Sequence, residues 1–124
     1  MTENPTSDLQ IAADLRAAAD YLRTHGHAKG IFLDRTGSAC LLGAFGQAAG
    51  FTRLYQIAQP SDNWPPIQAM GFTSLADAVG WNDASDRTAT EVIDRPESAA
   101  LGLEIRALSD TVESLAAERL ELVR

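Results

Sequence analysis

From Leu101 onward, the large apolar residues of this 124-residue chain fall at alternating steps of four and three: Leu101, Ile105, Leu108, Val112, Leu115 and, past Arg119, Leu122. Written as heptads, Ile105, Val112 and Arg119 stand at a, and the leucines at 101, 108, 115 and 122 stand at d. β-Branched residues at a with Leu at d favour two parallel helices. The spacing therefore predicts a dimer interface over Leu101, Ile105, Leu108, Val112, Leu115, Arg119 and Leu122, most simply with a second copy of the chain. Arg119 at an a position specifies register or pairs with Glu118 across the dimer. The same stripe also suits one helix folded back on its own body. Gly102 weakens the helix start, and Leu103 and Leu120 lie off the seam, where they widen the apolar face.

Upstream the pattern is helical and broken by strong punctuation. Residues 1–7 read as a disordered tail, and Ser7 opens a capping box with Gln10. Ile11, Leu15, Ala18 and Leu22 form one helical stripe, closed by Gly26. Gly30 to Leu33 is a short apolar run followed by an Asp34-Arg35-Thr36-Gly37 turn, which together predict a small β-hairpin or irregular element. Ser38 then caps a helix from Cys40 to Ala49 that carries no charge, so it is expected to be buried on every side. Gly43 and Gly46 cost that helix about 1 kcal/mol each relative to Ala, which another backbone passing close by would explain.

Phe51 to Ala58 reads as a short helix with Leu54, Tyr55 and Ile57 inward, stopped by Pro60. Pro65-Pro66 starts a turn to Met70, broken by Gly71. Thr73 or Ser74 caps a helix to Val79 that Gly80 ends, leaving residues 81 to 87 as a polar loop. Thr88 and Glu91 form a second capping box. Pro96 then breaks or kinks the helix and, as a favoured first helical residue, is where the terminal helix is expected to start. The expected fold is mainly α, a compact helical domain over 8–95 with a long C-terminal amphipathic helix over 96–124.

Composition narrows the partners. There are 10 Lys and Arg against 17 Asp and Glu, a net charge of −7, and Lys29 is the only lysine. That balance excludes nucleic acid and anionic membrane surfaces as main ligands, since both need clustered cations. The N-terminus lacks the basic and apolar regions of a signal peptide, and no apolar run approaches the ~20 residues of a membrane span. One cysteine, Cys40, excludes an internal disulfide and is compatible with a cytoplasmic protein.

Candidate chemistry is sparse. Cys40 near a helix start, where the dipole lowers a thiol pKa, could join His25 or His27 and Asn82 or Asp83 in a hydrolase. A small core cysteine is the plainer reading. His25-Gly26-His27 lacks the usual spacing of a helical ligand pair, and no metal or other cofactor is expected. Trp81, Asn82, Asp83 and Arg87 combine an aromatic ring, an amide, a carboxylate and a guanidinium, which suit a polar ligand or, equally, a turn with an Arg clamp. No Gly-Lys-Ser/Thr occurs, which removes the P-loop class.

Four pieces in order carry a resemblance: Leu15-Arg16-Ala17-Ala18-Ala19 leading to His25-Gly26, Cys40-Leu41-Leu42-Gly43-Ala44, Trp81-Asn82-Asp83, and Arg87-Thr88 with Glu91-Val92. Over residues 8 to 95 the chain resembles an uncharacterised domain-of-unknown-function family of small proteins from actinobacteria and their phages. Two departures stand out: His27 replaces the Trp that usually follows His-Gly, and the helix beyond Pro96 is an addition. The resemblance implies a shared pocket at His25, Trp81, Asn82, Asp83 and Arg87, whose floor His27 would alter. Two function classes follow. One is a non-enzymatic homodimeric interaction protein, phage-encoded on one reading and acting on a cellular or host protein. The other is a small polar ligand-binding module or Cys-dependent hydrolase at His25, His27, Cys40, Asn82, Asp83 and Arg87.

Overall fold

Three residues earlier than the Ser7 capping box predicts, and inside the stretch expected to be a disordered tail, Pro5 opens the first helix, α1 (Pro5–His25). Pro suits a first helical position because its φ is preset and it has no amide to orphan, so Ser7 lies inside the first turn. The structure is a computed structural model and describes residues 5–48 and 65–122. The helix expected over Phe51–Ala58 lies outside them. Leu15, Ala18 and Leu22 of the predicted stripe are buried, joined by Ala12 and Ala19, while Ile11 is half-buried at its edge. Gly26, at φ +102°, turns the chain out of the helix while its amide still donates to Leu22 O at 2.9 Å.

Between residues 26 and 40 the chain makes a closed loop with no strand. Ala39 sits in its middle, bonding Gly26 O through its amide and Ala28 N through its carbonyl, at 3.0 and 2.8 Å. It forms isolated bridges to His27 and Leu33, so the element is irregular rather than a hairpin. Asp34 makes the expected turn, its Oδ1 accepting from Thr36 N, Thr36 Oγ1 and Ser38 N. Ser38 does not cap the next helix. Its hydroxyl donates instead to His25 O at 3.0 Å, which ties the loop's two ends together.

Helix α2 (Leu41–Ala48) is buried from Leu41 through Gly46, as its lack of charge predicts. The reason for Gly43 is visible. A Cβ there would overlap the Phe32 carbonyl oxygen, which lies directly over it and accepts from Cys40 N at 3.2 Å. Helix α3 (Pro65–Ala69) follows, then α4 (Leu75–Asp83), capped by Ser74 Oγ accepting from Asp77 N at 3.0 Å. Gly80 does not end α4. A single Gly costs only about 1 kcal/mol in a helix, and the bonds made by Asn82 and Asp83 beyond it outweigh that. Trp81, Asn82 and Asp83 thus form the last helical turn, not a polar loop.

Helix α5 (Ala89–Leu122) starts at the predicted Thr88–Glu91 box, with Thr88 N donating to Glu91 Oε1 and Glu91 N donating to Thr88 Oγ1. It then runs unbroken through Pro96, contrary to the expected break. An internal Pro costs roughly 3 kcal/mol. Burial of the Pro96 ring and packing of Val92, Ala100, Leu103 and Ala107 against the body offset that. Leu103, off the heptad seam, is therefore a core residue. Three ion pairs fasten α5 along α1: Arg23 to Glu97 at 2.6 Å, Arg16 to Glu104 at 2.6 Å, and Arg106 to Asp8 at 2.9 Å. The last is bidentate, and Asp8 is a buried carboxylate. From residue 108 to 122 every residue of α5 is exposed, so about 22 Å of helix stands clear of the body.

Among the described residues the fold is all helix, with α1 packed mainly on α5 and α2. No described helix is long and apolar enough to cross a membrane.

Candidate functional site

The last turn of α4 meets the irregular loop and the start of α2 at one buried amide. Asn82 Oδ1 accepts from Leu41 N at 3.1 Å and from His27 Nε2 at 2.9 Å. Its Nδ2 donates to Ala28 O at 3.2 Å and to Asp83 Oδ1 at 2.8 Å. The backbone partners fix the amide's orientation, since Leu41 N must donate and Ala28 O must accept. Those four bonds are all that an asparagine can make. Asn82 therefore caps α2 from a distant helix, in the role expected of Ser38, and pins the loop in the same stroke.

Asp83 extends the lock. Its Oδ1 also accepts from Gly30 N at 2.9 Å. That bond, then the Asn82 amide, then the charges of His27 and Lys29 hold its carboxyl below the usual range. Lys29 Nζ donates to Ala84 O at 2.7 Å, closing the loop onto the end of α4.

Cys40 sits at the N-cap of α2, where its Sγ accepts from Gly43 N at 3.3 Å. The helix start does not activate the thiol. Burial pushes its pKa up, and the helical amides of Gly43 and Leu42 only partly oppose that. Protonated and buried, it is a poor nucleophile at neutral pH. A maleimide added to the native protein near pH 7 should label Cys40 at least about 100-fold more slowly than in urea. Equal rates would restore Cys40 as a reactive group.

The sequence candidates divide between separate places. Cys40, Asn82 and Asp83 line one surface pocket of about 200 Å³ with Ile31, Leu42 and Val79, and His27 touches it only through Asn82. That is smaller than the roughly 300–1,000 Å³ of most ligand sites. His25 is apart from it, its ring stacked on Tyr21 at 4.3 Å. Trp81 and Arg87 belong to a shallow cleft with Glu91, Asp94 and Arg95. Arg87 lies 4.3 Å over the Trp81 ring, donates from Nε to Trp81 O, and pairs with Glu91, the clamp expected of it. Arg95, which the sequence reading did not single out, stacks on Phe72 at 4.0 Å and lies 4.9 Å from the Trp81 ring. Among the described residues no three His, Cys, Asp or Glu side chains converge as metal ligands would.

The Trp81-Asn82-Asp83 turn is thus a structural lock joining residues 27–41 to α4, and both segments lie within the span matched by a known family model. The model is described as a family of unknown function (DUF6197) and spans residues 6–101. The chain belongs to that family. No curated protein and no solved structure matches it significantly. The matched region takes in α1 through the first third of α5 and leaves the exposed end of α5 beyond it.

The seam residues complete the inventory. Leu101, Ile105, Leu108, Val112 and Leu115 are 52–65% exposed and Leu122 is 84% exposed. Arg119 is exposed among them. The fold-back alternative is not what this helix does: its inward stripe is Ala100, Leu103 and Ala107, and the heptad face points away.

Proposed function

We propose that the protein is a non-enzymatic interaction protein that works as a homodimer through the outward face of α5. The observation that carries this reading is the apolar stripe from Leu101 to Leu115, resumed at Leu122 past Arg119, exposed on a helix already anchored by its opposite face. Monomeric proteins rarely expose so long a contiguous apolar stripe. If burial returns about 1 kcal/mol per half-exposed side chain, the six apolar residues of each copy together rival the roughly 4–15 kcal/mol cost of association. Encoded by an actinobacterium or its phage, such a pair would present two copies of the body to a cellular or host protein.

The alternative, a polar-ligand site or hydrolase at His25, Cys40, Asn82, Asp83 and Arg87, has less behind it. Asn82 has no bonding capacity left, the pocket beside it is mostly apolar, and Arg87 is committed to Trp81 and Glu91.

Light scattering tests the proposal. Wild-type protein at micromolar concentration should have twice the subunit mass, and Ile105→Asp/Val112→Asp should have the subunit mass. Both sites are exposed, so the variant should keep the helical signal of the wild type. A monomeric wild type defeats the reading.

A further inference from the structure

The outward face of α5 does not stop where the body begins. Ser98 at a and Asp94 at d continue the heptad phase of Ile105 and Leu101, and both are exposed. Charge along this face is unequally matched. Toward one end, Arg119 has only Leu115, Ala116, Leu122 and Val123 at three and four positions' distance, so its own helix offers it no carboxylate there. Toward the other, Asp94 stands three residues from both Glu91 and Glu97. Those two have their own partners, Glu91 in Arg87 and Thr88, Glu97 in Arg23. Arg23 lies within electrostatic range of Asp94, but its hydrogen bonds go to Asp20 and Glu97. Arg87 and Arg95 share the cleft with Asp94, but their hydrogen bonds go to Trp81 O, Glu91 and Met70 O. Among the described residues Asp94 thus has cations near it and is the hydrogen-bonded partner of none, while Glu91 and Glu97 repel it along the helix.

We infer that two copies pair antiparallel along α5, with Arg119 of each laid against Asp94 of the other. This rests on the homodimer reading above. The register follows by counting, because a positions face d positions when the helices run in opposite directions. Arg119 opposite Asp94 puts Leu115 opposite Ser98, Val112 opposite Leu101 and Leu108 opposite Ile105, each pair occurring twice. The overlap, residues 94 to 119, is about 39 Å long. The free end of each helix then rests beside the other copy's body instead of in solvent. A parallel pair would set Arg119 against Arg119 in one layer and Asp94 against Asp94 in another. The parallel preference of β-branched a residues acts in only two layers here, Ile105 and Val112. A like-charge layer in a desolvated seam costs several kcal/mol.

Disulfide trapping and charge reversal test direction and register. Under mild oxidation, Leu101→Cys/Val112→Cys should form covalent dimers, and neither single variant should, since Cys40 is buried. Asp94→Arg or Arg119→Asp alone should raise the dimer Kd at least about tenfold, and the double reversal should return it to within about threefold of wild type. Both sites are exposed, so circular dichroism should match the wild type in each case. Cross-linking of Val112→Cys alone would mean parallel helices. Preferential trapping of Ile105→Cys/Leu115→Cys would mean an antiparallel pair slid by one heptad. A double reversal no tighter than the single ones would remove the Asp94–Arg119 contact. Any of these in a dimeric protein overturns the inferred arrangement and leaves the homodimer standing, whereas a monomeric wild type defeats the homodimer itself.

Discussion

Asn82→Ala should lower the free energy of unfolding by about 3–4 kcal/mol, read from the midpoint of a urea melt. The substitution removes four hydrogen bonds at once and strands their partners. Leu41 N is a buried helix-start amide, and Ala28 O and Asp83 Oδ1 are partly buried acceptors. Each such loss costs about 1 kcal/mol or more, and networks of this kind fail together rather than bond by bond. Asn82→Asp should do no better, although it is nearly isosteric. A carboxylate turns two donors into an acceptor facing Ala28 O and Asp83 Oδ1. A loss below about 1 kcal/mol in Asn82→Ala would show that the lock is not a main support of the fold.

Gly43→Ala should cost about 3 kcal/mol, at the upper end for overpacking, and lower the melting temperature by about 10 °C or more. A methyl group on Gly43 overlaps the Phe32 carbonyl oxygen, which is backbone and has no rotamer to retreat into. Phe32 O also bonds Cys40 N, so pushing it away loosens the same loop that Asn82 holds. Gly102→Ala is the matched control. Nothing lies within 4 Å of a Cβ there, so that change should stabilise α5 by up to about 1 kcal/mol. Equal behaviour of the two variants would refute the close approach at Gly43.

The two glycines also show what periodicity can and cannot tell. The charge-free run from Leu41 to Gly46 announced a buried helix, and its glycines announced a close neighbour. That the neighbour is Phe32 depends on a loop closure that no local pattern encodes. The stripe on α1 and the Thr88–Glu91 box were legible because each is a contact among residues a turn or two apart. The breaks were misjudged at Gly80 and Pro96 for one reason. Local propensity priced each residue correctly, but the tertiary bonds of Asn82 and the burial of Pro96 outweigh the price. The site was legible as a set of residue types and not as a place. Asn82 and Asp83 stood out as polar groups needing partners, while their partners on the loop and α2 lie 41 to 55 residues earlier. Likewise the buried Asp8 gave no signal, because its Arg106 is 98 residues away. At Cys40 the plainer reading, a small core cysteine, agrees with the buried thiol, because desolvation by the surrounding core outweighs the local helix dipole.

The similarity to the family ends at residue 101, but the protein's interior does not. Leu103 and Ala107 are core residues, and Arg106 supplies the guanidinium that neutralises Asp8 at the opposite end of the chain. A stop codon at the edge of the shared module would unroof α1 and abandon a carboxylate inside it. A stop after Ala107 would spare both. The stretch of α5 past residue 101 is thus a wall of the body's interior and not a detachable appendix.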